Sequence, residues 1–146
     1  MTSLWSVNQR PLLVGELNPY QPAEDEDYAL YPYPERSADG RLCRLVMGLE
    51  PHRYIRSYDR ANLCSVRWSL SAARLRAVQL SDEHPVVPVA LFGSRVCAAF
   101  GVPFAPFTVS GRYALLPHPS GLCRIWNEPE AYDRARVTLR VAGVLS

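Results

Sequence analysis

The sequence predicts an α/β protein, a three-layer α/β/α sandwich with a mainly parallel central sheet of about four strands. Three observations carry that expectation. Short apolar runs fit for buried strands, LLV at 12–14, VVPVALF at 86–92 and YALL at 113–116, alternate with stretches of helical spacing. The strands beginning at Leu12 and Tyr113 both run into polar loops built from Gly, Pro and Asn. Strand, polar loop and helix in that order is how open α/β sheets place ligands at the carboxyl ends of their strands.

The chain of 146 residues is read as a single domain, 1–146, long enough to bury about two-thirds of its unfolded surface. No run reaches the length of a membrane span, and MTSLWSVNQRPLLVG lacks the basic start and apolar centre of a signal peptide, so a cytoplasmic protein is expected. Cys43, Cys64, Cys97 and Cys123 are isolated and never form CxxC, which argues for buried free thiols and against a zinc ribbon or an iron-sulfur cluster. All sixteen basic residues are arginine, each a planar fork suited to phosphate. Between Arg36 and Arg76 nine arginines face three acids, a formal charge of +6, whereas Glu24 to Asp27 is wholly acidic. A basic stretch in a balanced protein suits a nucleic-acid-facing side, and equally a solvated helix face.

Taken in order, Leu12 to Val14 is a buried strand that Gly15 to Tyr20 breaks into a tight loop. Gln21 to Asp39 has no period and reads as an ordered loop whose tyrosines 28, 31 and 33 need a surface to lie on. Apolar residues at 42, 45, 46 and 49 predict a short amphipathic helix over Gly40–Leu49, and Pro51 opens a second helix or turn. Asp59–Val66 suggests a central strand with Asn62 at its edge. Ser69–Leu80 is the clearest helix, capped by Ser69 or Ser71. Pro85–Phe92 is the next strand, Gly93-Ser94 starts a helix over Arg95–Phe100, and Gly101 ends it. PFAPFTVSGRYALL supplies a last strand pair or edge, and Glu128–Arg140 a closing helix with Asn127 as its cap and Pro129 near its first turn.

The stretch LLPHPSGLCRIWN, 115–127, organises the rest. Two prolines clamp His118 before Gly121 turns the backbone away, so a strand delivers one imidazole to a rigid loop. Trp5, Trp68 and Trp126 each lie beside apolar residues and are read as packing. Arg67 and Arg124 suit phosphate contacts or plain solvation.

GELNPY near the start, DRANLC, VALFGSRVCAAFG and LLPHPSGLCRIWN together resemble the uracil-DNA glycosylase superfamily, over about Leu12 to Arg140. The resemblance implies DNA as partner, a flipped uracil or related base as substrate, and a protein acting as a monomer without cofactor or metal. It implies that Asn18 positions the hydrolytic water and that His118 bonds the base O2. Tyr20 would exclude the thymine methyl, Tyr31 stack on the base, Asn62 read its edge, and Glu16 belong to the same base-binding group. Ser120, Leu122 and Arg124 would contact DNA, Leu122 as the wedge that fills the vacated stack. Glu16 and Leu17 separate Gly15 from Asn18 where the asparagine-bearing branches have one residue. Glu16 after Gly15 is similar to the iron-sulfur branch, whose cysteine pattern is missing here.

The chemistry fits those types. Hydrolysis of an N-glycosidic bond builds positive charge on the sugar and negative charge on the departing base, so it needs a placed water and a donor to the base. An Asn amide offers a carbonyl and an NH₂ together, which matches N3–H and O4 of uracil and opposes the cytosine amine. Two other functions stay open: a nucleobase- or nucleotide-binding or inhibitor module that does not cleave, and a glycosidase for a modified base or free nucleoside. Asn18 and His118 are expected to face one cleft at the carboxyl end of the sheet.

Overall fold

Alternation of side chains along each strand divides the core into two buried clusters, one on either face of a single sheet. The computed structural model describes residues 10–18, 29–33, 36–65, 67–120 and 123–146, with Asn18 described in its backbone alone. Among these, strands β1 (Leu12–Asn18), β2 (Asp59–Ser65), β3 (Val89–Phe92), β4 (Thr108–Ser110) and β5 (Tyr113–Leu116) are ordered β2-β1-β3-β5-β4. The first four in that spatial order run parallel, and β4 closes the edge antiparallel to β5. Leu13, Ala90, Phe92, Ala114 and Leu116 face one cluster; Leu12, Val14, Val89, Leu91 and Leu115 face the other.

Helices cover both faces, which makes three layers. Helix α1 (Ala38–Arg41) runs on as a π-helical turn, Leu42–Val46, and is followed by α2 (Pro51–Ser57). These pack with α5 (Ala131–Val141) on the face that holds Leu13. Helices α3 (Leu70–Glu83) and α4 (Ser94–Ala99) cover the opposite face through Ala73, Ala77, Leu80, Val96 and Cys97. Cys43 lies in one cluster and Cys64 and Cys97 in the other, while Cys123 is only half-buried, a correction to four buried thiols. No helix among the described residues is long and apolar enough to cross a membrane.

The differences from expectation have local causes. Strand β1 does not turn at Gly15, because its backbone goes on pairing with β2 through Gly15↔Asn62, Leu17↔Cys64 and Asn18↔Ser65. β2 is an edge strand and not a central one. Its apolar run reflects burial of both faces, and the Arg60 Nη1 reaching the Ala29 carbonyl at 2.9 Å ties the preceding loop segment along it. The first helix starts at Ala38, not Gly40, since the Ser37 hydroxyl accepts from Gly40 N at 3.0 Å and caps it; Asp39 therefore belongs to a helix and not to the loop. The third strand is shorter than Pro85–Phe92, as Pro85 and Pro88 have no N–H to give to a ladder. Asn127 ends a 3-10 turn, Arg124–Asn127, and Glu130 occupies the cap of α5 in its place. Ser69 caps α3, accepting from Ala72 N at 3.3 Å.

Candidate functional site

In the parallel set β2-β1-β3-β5 all carboxyl ends share one edge, and the chain leaves β1 for β2 on one side before returning to β3 on the other. Such a reversal is where open α/β sheets place their ligand crevice, here at the ends of β1 and β3. Glu16 lies on β1, Gly93 directly follows β3, and His118 comes just after β5 ends at Leu116. The fold thus gathers three sequence segments at one edge.

Glu16 is the hub there. Its Oε1 pairs with Arg95 Nη1 at 3.2 Å, and its Oε2 lies 3.8 Å from His118 Nε2. The Glu16 side chain is 17% exposed against 56% for Arg95 and 41% for His118, so a largely buried carboxylate is met by two groups open to a ligand. Arg95 also lies over the Trp68 ring, 5.7 Å from its centre, which holds the long side chain in place. Trp68 is therefore packing for a site residue, consistent with its reading from the sequence.

His118 is oriented on three sides. Ser120 N donates to its Nδ1 at 3.1 Å, and Trp126 Nε1 donates to its carbonyl oxygen at 2.8 Å. Because a backbone N–H points at Nδ1, that nitrogen is the acceptor and the ring proton sits on Nε2, on the side of Glu16. At 3.8 Å the carboxylate is too far to take that proton in a full hydrogen bond, so among the described residues Nε2–H keeps its donor capacity for a ligand. Gly93 makes the close approach possible: with φ of +106° its own Cβ would stand 3.3 Å from His118 Cβ. The two clamping prolines thus supply only part of what fixes the imidazole.

Asn62 forms a second group on the face of β1 that carries Gly15. It is buried, at 5% exposure, directly opposite Gly15 in the β1–β2 register. A Cβ on Gly15 would lie 2.6 Å from Asn62 Oδ1 and 3.4 Å from Leu30, so the glycine makes room for the amide. Leu30 takes a left-handed φ of 49° while buried, a conformation that its surroundings hold. The Tyr54 hydroxyl donates to the Leu30 carbonyl at 2.9 Å, and Arg60 holds Ala29. This sets Tyr31, half-buried with its ring tilted 5.6 Å from that of Tyr33, next to the segment that meets Gly15.

The remaining predicted residues divide simply. The Asn18 backbone pairs with Ser65 at the carboxyl end of β1, the same edge as His118; its side chain, Tyr20 and Leu122 lie outside the described residues. Ser120 is half-buried in the His118 loop, and Arg124 is exposed on the 3-10 turn. Arg95 and Asp39 were not singled out by sequence, and Trp126 was named there as packing alone. Arg95 was hidden in a helix start, whereas the aromatic eight residues after His118 was a readable signal taken only as packing.

Asp39, half-buried near the start of α1, is raised by burial from 3.8 to about 6. Burial also pushes the Tyr54 hydroxyl up, with neighbouring Asp39 adding to it, so Tyr54 stays a neutral donor to Leu30. A carboxyl raised on folding contributes stability that is complete below its unfolded value of 3.8 and is lost as pH climbs through about 6. Asp39→Asn is therefore expected to stabilise the protein by about 1–3 kcal/mol at about pH 8, with most of that gain gone by about pH 4. Urea unfolding at the two pH values reads it; an equal gain at both would show that Asp39 does not titrate in this window.

Comparison of the chain with family models, with curated proteins and with solved structures returned no match.

Proposed function

We propose that the protein is a DNA glycosylase that hydrolyses the N-glycosidic bond of uracil or a related base, flipped from the strand. The observation that carries this reading is His118 held as an Nε2–H donor beside the Glu16 carboxylate at the switch point of the sheet. The motif resemblance to the uracil-DNA glycosylase superfamily supports it from the sequence side. As the bond breaks, Nε2–H donates to the base O2 where negative charge grows, and Glu16, balanced by Arg95, offsets the positive charge on the sugar. Asn18 orients the water, since an amide cannot take up its proton fully; as the water bonds to the sugar carbon, that proton ends on the departing base anion, which leaves as the neutral base. Asn62 reads the uracil edge and Tyr31 stacks on the ring. Tyr20 excludes the thymine methyl. Leu122 enters the stack, and Ser120 and Arg124 hold phosphate.

The test is direct. Wild-type protein incubated with uracil-containing oligonucleotides, single- and double-stranded, is expected to leave abasic sites that alkali cleaves, with free uracil released in equal amount. Binding of the same oligonucleotides without uracil release would overturn the catalytic reading in favour of a binding module, and release of base from free nucleosides alone would move the substrate away from DNA.

A further inference from the structure

A cavity opens beside the His118 loop, lined in part by Pro119 and Ser120. Its volume is about 220 Å³, and its floor is apolar, set by Leu42, Val46 and Pro119. Trp126 and Tyr132 form an aromatic wall, their rings stacked at 5.6 Å and 29°. Ligand pockets for drug-sized molecules usually measure about 300–1,000 Å³, so this one suits a single planar ring.

Its polar rim says what accompanies the ring. Arg41 is half-buried there, and its hydrogen bond runs to the Arg36 carbonyl at 3.4 Å; no carboxylate among the described residues pairs with it. A half-buried guanidinium without an acid suits an anionic ligand, above all the planar geometry of phosphate oxygens. Asn127 brings both a donor and an acceptor to the same mouth, as a base edge requires. Arg41 brings to the cavity one of the nine arginines of the basic stretch 36–76.

We infer that this cavity binds one nucleotide, with the base against Trp126 and Pro119 and the phosphate on Arg41. In the strand-bound form, which rests on the DNA reading above, the occupant is a nucleotide flanking the flipped one; a free mononucleotide carries the same chemistry. Occupancy is sensed at the catalytic loop, because Trp126 Nε1 holds the His118 carbonyl at 2.8 Å and Pro119 follows His118 directly.

The experiment follows the Trp126 indole N–H in ¹H–¹⁵N spectra of the full chain, assigned by its loss in Trp126→Phe. Pentathymidylate, which contains no uracil, is expected to shift that resonance saturably, and Arg41→Gln to weaken the binding at least about tenfold. Arg41→Lys, keeping the charge without the fork, is expected to fall between. A half-buried side chain at the mouth leaves the fold intact on substitution, which an unchanged melting temperature checks. Thymidine monophosphate giving the same shift with the same Arg41 dependence identifies a free nucleotide as a ligand; an inert monophosphate identifies the strand. The inference is overturned if pentathymidylate leaves the resonance still, if Arg41→Gln leaves its affinity unchanged, or if inorganic phosphate alone shifts it as far. His118→Ala leaves this titration in place while removing excision, so the cavity and the glycosylase reading fail separately.

Discussion

His118→Ala is expected to lower the single-turnover rate of uracil excision by about 10²–10³-fold while the melting temperature barely moves. The size follows from the proposed role of the imidazole, a preorganised donor aimed where charge develops, because deleting one such donor in other sites has effects of this order. The small effect on stability follows from its setting. The side chain is 41% exposed, and the hydrogen bond from Trp126 goes to the backbone oxygen, which alanine retains. Among the described residues the Ser120 N–H loses its Nδ1 acceptor and Glu16 loses a neighbour at 3.8 Å, and a half-buried loop amide can turn to water. His118→Gln is a sharper probe. Glutamine can present an NH₂ near the former Nε2 position but lacks the ring that Ser120 orients, so it should recover only a small part of the rate. Excision by His118→Ala within about threefold of wild type would show that the base is stabilised by another group.

The sheet was legible in the sequence because burial on both faces leaves a mark: runs such as VALF and YALL have no polar alternation, and each is followed by a loop whose Gly or Pro stops the strand. Strand order was not legible. DRANLCS reads as central because it is buried throughout, and only the tie from Arg60 to Ala29 shows how an edge strand acquires that burial. For the site, His118 stood out through its two prolines, but its tautomer depends on Ser120 N and its reach on the missing side chain of Gly93, neither of which a motif reveals. Glu16 was placed among the base-binding residues, and the partners it has among the described residues, Arg95 and His118, are ones that the motif does not pair it with. Seventy-nine positions separate Glu16 from Arg95, and local spacing carries no trace of a pair that the β1–β3 reversal creates. The raised Asp39 carboxyl was invisible for the same reason, since burial is a property of what packs on it.

Gly15→Ala is expected to damage uracil recognition as severely as a change in Asn62 itself, without replacing any residue that the proposal sets against the base. The added methyl would lie 2.6 Å from Asn62 Oδ1, nearer than real contacts allow, and the amide is the only one of the pair able to move. Asn62 is buried and the same methyl would also stand 3.4 Å from Leu30, so the amide has to rotate away from the orientation in which, on the proposed reading, it meets the base. Losing a paired hydrogen bond there should reduce excision about ten- to a hundred-fold, and overpacking should lower stability by about 1–3 kcal/mol. Asn62→Asp separates geometry from inventory. It keeps the shape, replaces the NH₂ that on the proposed reading meets uracil O4 with an acceptor, and should weaken uracil excision similarly while admitting cytosine, whose amine then finds an acceptor. The assay is excision from matched uracil- and cytosine-containing oligonucleotides by wild type and both variants, with melting temperatures alongside. If Asn62 reads the base, Gly15→Ala loses uracil without gaining cytosine and Asn62→Asp gains cytosine; if both variants excise uracil like the wild type, base reading lies elsewhere in the crevice.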